Sequence, residues 1–408
     1  MYKLISLIIL SILLFSGCKT STEPVPPEKK PPGYQEDVPW ASLADSPWPM
    51  NHHDPQSTGR SKYIGPQSGI IAGKIPAEEM QSSIAIGMDS TIYFSTSSPG
   101  YIHAVDYNGE AKWDTTIGRE VFTTPLISED GTVYICSDYR QLLAFTSQGK
   151  LKWKFSVNDG IWILGMNIGL DGIIYFIGAY GVLYAVDKEG KLKWKYEDER
   201  FYVGTNSALT FSPDGKVLYI QGYKDVSVLA FNIETKSVKW TFGEYPLRSS
   251  PIVDAQGNIY FSPGRHSSYP EQPILYSLSP EGKIRWSFIY SINQIVFSNT
   301  EPTIDKDGNI YFGIDTLYSL NYEGKLRWKF GLGDVKIHSP LISDAKGNVY
   351  LGLAGFGGIK IMSVSSEGKK IWEIKIEGER ETGTSPVITE DGTLYYPTFR
   401  SHNILIIK

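Results

Sequence analysis

Cysteine is almost missing from this 408-residue chain: there are two, Cys18 and Cys136, too few for a disulfide framework. A basic surplus is missing as well. Lys+Arg 39 against Asp+Glu 44 gives a formal charge of −5, so nothing is available to neutralise a phosphate backbone, and nucleic acid is excluded as the expected partner. No apolar run reaches the roughly 20 residues of a membrane-spanning helix; the longest, Leu4 to Phe15, is broken by Ser6 and Ser11. A helical period is absent too. What the chain does have is 40 Gly and 13% aromatic residues, among them 26 Tyr and 10 Trp. Many turns combined with many aromatics point to an all-β protein.

The short run has a positive start, Met1-Tyr2-Lys3, and ends in Phe15-Ser16-Gly17-Cys18. That ending resembles the lipobox of bacterial lipoproteins, with Phe15 where Leu is usual. The resemblance implies a signal peptide over 1–17, removed on maturation, and a lipid-modified Cys18. It also implies a location in the bacterial cell envelope, facing the periplasm or the cell surface. Lys19, in place of the Asp that favours inner-membrane retention, turns the expectation towards the outer membrane. From Lys19 to Pro49 there are eight prolines and little hydrophobic periodicity. Residues 18–47 are therefore expected to be a Pro-rich spacer.

The remainder is one unit repeated. A unit typified by Asp-Gly-x-hydrophobic-Tyr recurs eight times, as at Asp130-Gly131-Thr132-Val133-Tyr134 and Asp307-Gly308-Asn309-Ile310-Tyr311, with Asp89-Ser90, Gln256-Gly257 and Lys346-Gly347 as its variants. Each of the first seven copies is followed by a second apolar strand, a Gly turn and a strand carrying Trp113, Trp153, Trp194, Trp240, Trp286, Trp328 or Trp372. A period of 40–46 residues with four short strands is that of a β-propeller blade. The fold expected is an eight-bladed β-propeller of four-stranded antiparallel blades over 70–408, a monomeric ring preceded by a leader over 48–69. The eighth copy stops after three strands, while Ile70 to Ile75 has no blade of its own. This N-terminal strand is expected to pair with Asn403–Ile407 and complete the last blade.

Segments such as Ala185-Val186-Asp187-Lys188-Glu189-Gly190-Lys191-Leu192-Lys193-Trp194 resemble the tryptophan-docking motif of the pyrroloquinoline-quinone-like propeller family. Trp48-Pro49-Met50 and the stretch Asp54 to Ser61 are similar to a leader found before such propellers. The family holds both quinoprotein dehydrogenases and non-catalytic relatives. The dehydrogenases carry a vicinal Cys pair over the quinone and a calcium site of Glu, Asn and Asp. Cys136 is alone once Cys18 is lipidated, so no enzyme activity, no quinone and no calcium are expected. Asp305-Lys306-Asp307-Gly308-Asn309 superficially suggests a calcium loop but has Gly at the fourth position, not the sixth, and it reads as a turn. His52-His53-Asp54 lies within the leader and reads as packing.

In such a blade the A–B and C–D turns lie on one face of the ring and the B–C and D–A loops on the other. The first set is short and repetitive, and the second is variable, which is where binding usually resides. The D–A loops carry Arg119, Trp162, Tyr202, Tyr245, Arg248, His338 and Arg380, with Phe201 and Glu379 among their neighbours. Aromatics interleaved with arginines suit a protein or carbohydrate contact. In architecture the chain resembles the propeller lipoproteins of the outer-membrane β-barrel assembly machinery. That resemblance implies a lipid-anchored, non-catalytic scaffold for an envelope protein, an outer-membrane β-barrel among the candidates. A glycan- or small-ligand-binding lipoprotein is the alternative, and a quinone-dependent dehydrogenase stands behind both.

Overall fold

A computed structural model of the chain describes residues 30–80, 82–97, 100–118, 121, 123–137, 140–157, 165–178, 181–201, 209–223, 225–243, 247, 250–263, 274–289, 300–355, 357–380 and 383–408. Residues from Pro31 to Lys408 form one compact unit. Its strands make eight antiparallel sheets, in seven of which chain order equals spatial order, A-B-C-D from the axis outward; in the eighth the outermost strand comes from the N-terminal side. The result is an eight-bladed β-propeller. Seven sheets have four strands. The seventh blade has five, because its inner strand is split into Lys336–Ile337 and Ile342–Ser343.

Alternation explains each layer. B and C strands such as Ile174–Gly178 and Val182–Val186 are buried on both sides, and they read as continuous apolar runs, as central strands should. D strands such as Leu192–Glu197 are exposed at every second position, where lysines discourage edge pairing. Blades are joined by the repeated Trp. The indole N–H of Trp113, Trp153, Trp240, Trp286 and Trp328 donates to a carbonyl in the next blade's C–D turn at 2.7–3.1 Å. The turn glycine is obligatory there: a Cβ on Gly149, which has φ +80°, would lie 2.5 Å from the Trp113 ring.

The ring closes as the strand count requires. Ile71–Pro76 pairs antiparallel with Asn403–Ile407 and supplies the outermost strand of the eighth blade. Its register places Gly73 opposite Ile406, where the other blades set a Trp against Ala or Ser, as in Ala185↔Trp194. At this seam the Tyr395 hydroxyl donates to the Tyr107 carbonyl at 2.8 Å, and Ile75 packs against Gly109. On the preceding blade, Trp372 donates to Pro66 O, so the leader supplies the acceptor that a C–D turn supplies elsewhere.

The A–B turns come in two chemical kinds. In blades five to seven an Asp opens the turn. Asp305 Oδ1 accepts from the backbone N–H of Asp307 and Asn309, and Oδ2 accepts from the Asn309 amide at 2.9 Å and the Tyr311 hydroxyl at 2.7 Å. Asp254 and Asp344 repeat the arrangement. The supposed calcium loop is thus a clasp whose carboxylate is already saturated by donors. In blades two and eight the carboxylate instead directly precedes the Gly. Asp130 accepts from Ser128, Thr132 and Lys152.

These two kinds titrate in opposite senses. Burial pushes Asp254 and Asp305 above the ordinary 3.8, so they favour the folded state on the acid side and lose that advantage as pH rises through the raised value. Partial burial also opposes ionisation of Asp130, but hydrogen bonds from Thr132 and Ser128 and the Lys152 charge outweigh it and hold the carboxyl well below 3.8. A depressed carboxyl contributes stability above the unfolded value and loses it as pH falls. Asp130→Asn is therefore expected to lose less stability than the parent between about pH 5 and pH 2, measured by urea unfolding at each pH.

Candidate functional site

The two faces of the ring differ in what fills them. At the A–B end the channel is stopped by the chain's own leader. An innermost strand presents unpaired N–H groups to the axis, and buried donors need acceptors. Six of the eight inner strands receive one from the leader. The carbonyls of Trp48, Pro49, Pro55, Gln56, Thr58 and Gly59 accept the N–H of Ile86, Ile127, Phe211, Val253, Ile304 and Ser343 at 2.7–3.4 Å. In the third blade Asn167 mediates: its oxygen accepts the Ile168 N–H and its amide donates to Pro55 O. In the eighth, Trp48 fills the space beside Val387 and Ile388.

A second arc precedes this inner one and runs the opposite way around the ring. Gln35 lies against Lys306 and Gln256, Trp40 donates to Ile168 O, Ala44 donates to Ile127 O, and Ser46 donates to Ile86 O. The stretch expected to be a free spacer over 18–47 is therefore packed on the ring from Pro31 onward. Gln35 and Trp40 are buried, because an indole and a carboxamide with partners gain more from the ring than from water. Arg60 ties the arcs together through Gln35 O, Glu36 O and the Asp37 carboxylate. Between them lies a cavity of about 300 Å³, lined by Val38, Trp40, Leu43, Pro49, Pro55 and Val253 with Asp45, His53 and Lys62.

The variable-loop face is the opposite end. His338 and Arg380 are both exposed there. Cys18, Arg119, Trp162, Tyr202, Tyr245 and Arg248 lie outside the described residues. His338 follows the extra inner strand of the seventh blade, and its backbone N–H donates to Gly352 O. Partial burial holds its imidazole below the ordinary histidine value. The seventh blade reaches furthest, with Val349–Gly355 and Gly358–Val364 forming a long hairpin whose tip is partly exposed.

Beside it, Glu379 organises two loops. Its carboxylate accepts the backbone N–H groups of Arg380, Arg400 and Ser401. Burial would raise this carboxyl, but those bonds prevail and hold it below its ordinary value. The D–A loop of blade seven and the B–C loop of blade eight are thus clasped together, with Arg380 and Arg400 both exposed. The sequence marked Arg380 but not Arg400, since a carboxylate bridging two loops leaves no local signature. Phe201 proves structural: it is buried, with its ring against Tyr196 and Phe231.

The Cys136 thiol is fully buried and burial pushes its pKa well above the ordinary value, so it is an unreactive strand residue. Among the described residues no three His, Cys, Asp or Glu side chains are placed to hold a metal ion. Glu301, at the place taken by Ser250, Ser339 and Ser385 in the Ser-Pro strands, turns inward, accepts the Ser250 N–H and lies near His52.

A closed ring of eight four-stranded blades, with the leader laid across its A–B end, defines an eight-bladed β-propeller. Residues 58–261, half of the chain, match the family described as outer membrane protein assembly factor BamB; the chain belongs to that family. Among solved structures, BamB from Moraxella catarrhalis is similar at 14% identity and a TM-score of 0.60, covering 83% of this chain and 97% of that one. Quinohemoprotein alcohol dehydrogenase from Comamonas testosteroni is similar at 15% identity and 0.59, covering 85% and 76%. The C-terminal WD40 domain of Sif2 reaches 0.63 at 10% identity, covering 85% and 99%. No curated protein matches the chain significantly. At such identities the solved structures share the fold, and fold alone does not carry function.

Proposed function

We propose that this chain is a lipid-anchored, non-catalytic scaffold of the bacterial envelope that binds a protein partner through its variable-loop face and serves outer-membrane protein assembly. Membership of the BamB family carries this reading. The asymmetry of the ring supports it, because the A–B end is occupied by the leader and the other end offers exposed His338, Arg380 and Arg400 on clasped loops. Phe15-Ser16-Gly17-Cys18 supplies the anchor, and Lys19 after it directs the protein to the outer membrane. The chain joins the ring on its A–B face, where Gly33 packs on Tyr322 and Gly308. Exposed guanidinium groups on these loops favour carboxylates on the partner.

The test is purification of the lipidated protein from its native envelope in mild detergent. A near-stoichiometric membrane β-barrel protein is expected to accompany it. That protein should be lost with Arg380→Glu and kept with Lys193→Glu, which lies on an outer strand near the opposite face. A propeller that comes out alone, or equal retention by both variants, would overturn the assignment.

A further inference from the structure

The inner arc of the leader concentrates, within ten residues, features that oppose its packing. Six described residues other than glycine have left-handed backbone conformation, and three of them are His52 (φ 53°), His53 (φ 80°) and Ser57 (φ 53°). Side chains disfavour that region, and such outliers gather where a structure switches or clamps. The same short stretch concentrates unsatisfied polar atoms. Trp48 Nε1, His52 Nδ1 and Gln56 Nε2 are buried without a hydrogen-bond partner, as is Glu301 Oε2 on the ring facing them. His52 Nδ1 and Glu301 Oε2 are 3.5 Å apart without a hydrogen bond between them. Each such group recovers its hydration if the arc leaves the channel. On the blades such features are scattered, with left-handed Ser90, Lys236 and His402 and unpartnered atoms of His103, Ser137 and Ser363 far apart in sequence.

We infer that residues 31–61 form a releasable plug. The two arcs, tied by Arg60, leave the channel together while the eight blades stay closed by Ile71–Pro76, which lies beyond the plug in sequence and is held by its own pairing with Asn403–Ile407. Release opens the A–B end of the channel and bares a row of inner-strand N–H groups that only an extended backbone could satisfy. Backbone strain and unpaired polar atoms favour the released state, while the leader carbonyls and the burial of Trp40, Trp48 and Met50 favour the docked one. Two opposed sets of this kind make a two-state element.

Hydrogen exchange of the whole folded chain, followed by mass spectrometry, tests this. The amides of Ile86, Ile127, Phe211, Val253, Ile304 and Ser343 are expected to exchange together, about tenfold or more faster than C-strand amides such as Ala144 and Ala185. His53→Gly removes one left-handed side chain and should slow that common exchange about threefold or more without altering the C strands. A disulfide between Leu43→Cys and Ser128→Cys, a residue pair bridged in the docked state, should suppress it. The inference fails if the six amides exchange only with the blades, or at unrelated rates, or if neither variant changes them. Should His53→Gly fail to fold, the parent and the cross-linked chain decide the matter.

Discussion

Ile75→Asp is expected to cost about 4 kcal/mol or more and to open the ring at the eighth blade. Ile75 is 1% exposed, pairs with Ile404 and packs on Gly109 of the neighbouring blade. A carboxylate there has no partner and must leave the seam, taking the outermost strand with it. Asn403–Ile407 then becomes an unpaired edge, and the eighth blade loses the strand by which the two ends of the chain pair. The seam is poorly insured: where seven blades have a Trp, this one has Gly73. Ile71→Asp, at the exposed start of the same strand, is expected to stay within about 0.5 kcal/mol of the parent. Urea unfolding of both variants checks the pair. An equal effect of the two would mean that the strand contributes apolar area rather than closure.

Asp305→Ala is expected to destabilise the protein by about 3–5 kcal/mol, comparable with losing a core side chain, although it removes no apolar contact. The Asp305 carboxylate collects two backbone N–H groups, the Asn309 amide and the Tyr311 hydroxyl. Alanine leaves all of these buried or half-buried donors without an acceptor. Arg327, which donates to Tyr311 and Ser319, loses its anchor next. Asp307→Ala, two positions along the same turn and without such partners, serves as the comparison and is expected to be near neutral. If calcium were what this turn holds, adding or chelating calcium would shift the parent's unfolding midpoint; the saturated carboxylate predicts no shift.

Much of this architecture was legible in the sequence because propeller blades repeat their chemistry. The A–B turns mark every blade and the Trp of the fourth strand marks seven, and counting strands showed that the last blade needed one from the N-terminus. The leader's path was not legible, for a physical reason. Its bonds to six inner strands run from its own carbonyls, which every residue possesses, so no side chain announces them. Eight prolines between Lys19 and Pro49 suggested a free spacer. Proline also suits a strap that accepts hydrogen bonds without owing any, and Trp40 was the residue out of character with a spacer. At the binding face, Arg380 and His338 could be placed on the variable loops from loop order alone. Arg400 could not, since its position beside Arg380 depends on Glu379 clasping two loops that are distant in sequence. Glu301 stands where the strands Ser250-Pro251, Ser339-Pro340 and Ser385-Pro386 have Ser.

The most direct test of the scaffold assignment is site-specific photo-crosslinking in living cells, with the photoreactive residue placed at His338 on the variable-loop face or at Leu170 on the A–B face. The account predicts a single dominant adduct with an outer-membrane protein from position 338 and none from position 170. Adducts from position 170 alone, or none from either position while the protein is present at its normal level, would contradict it.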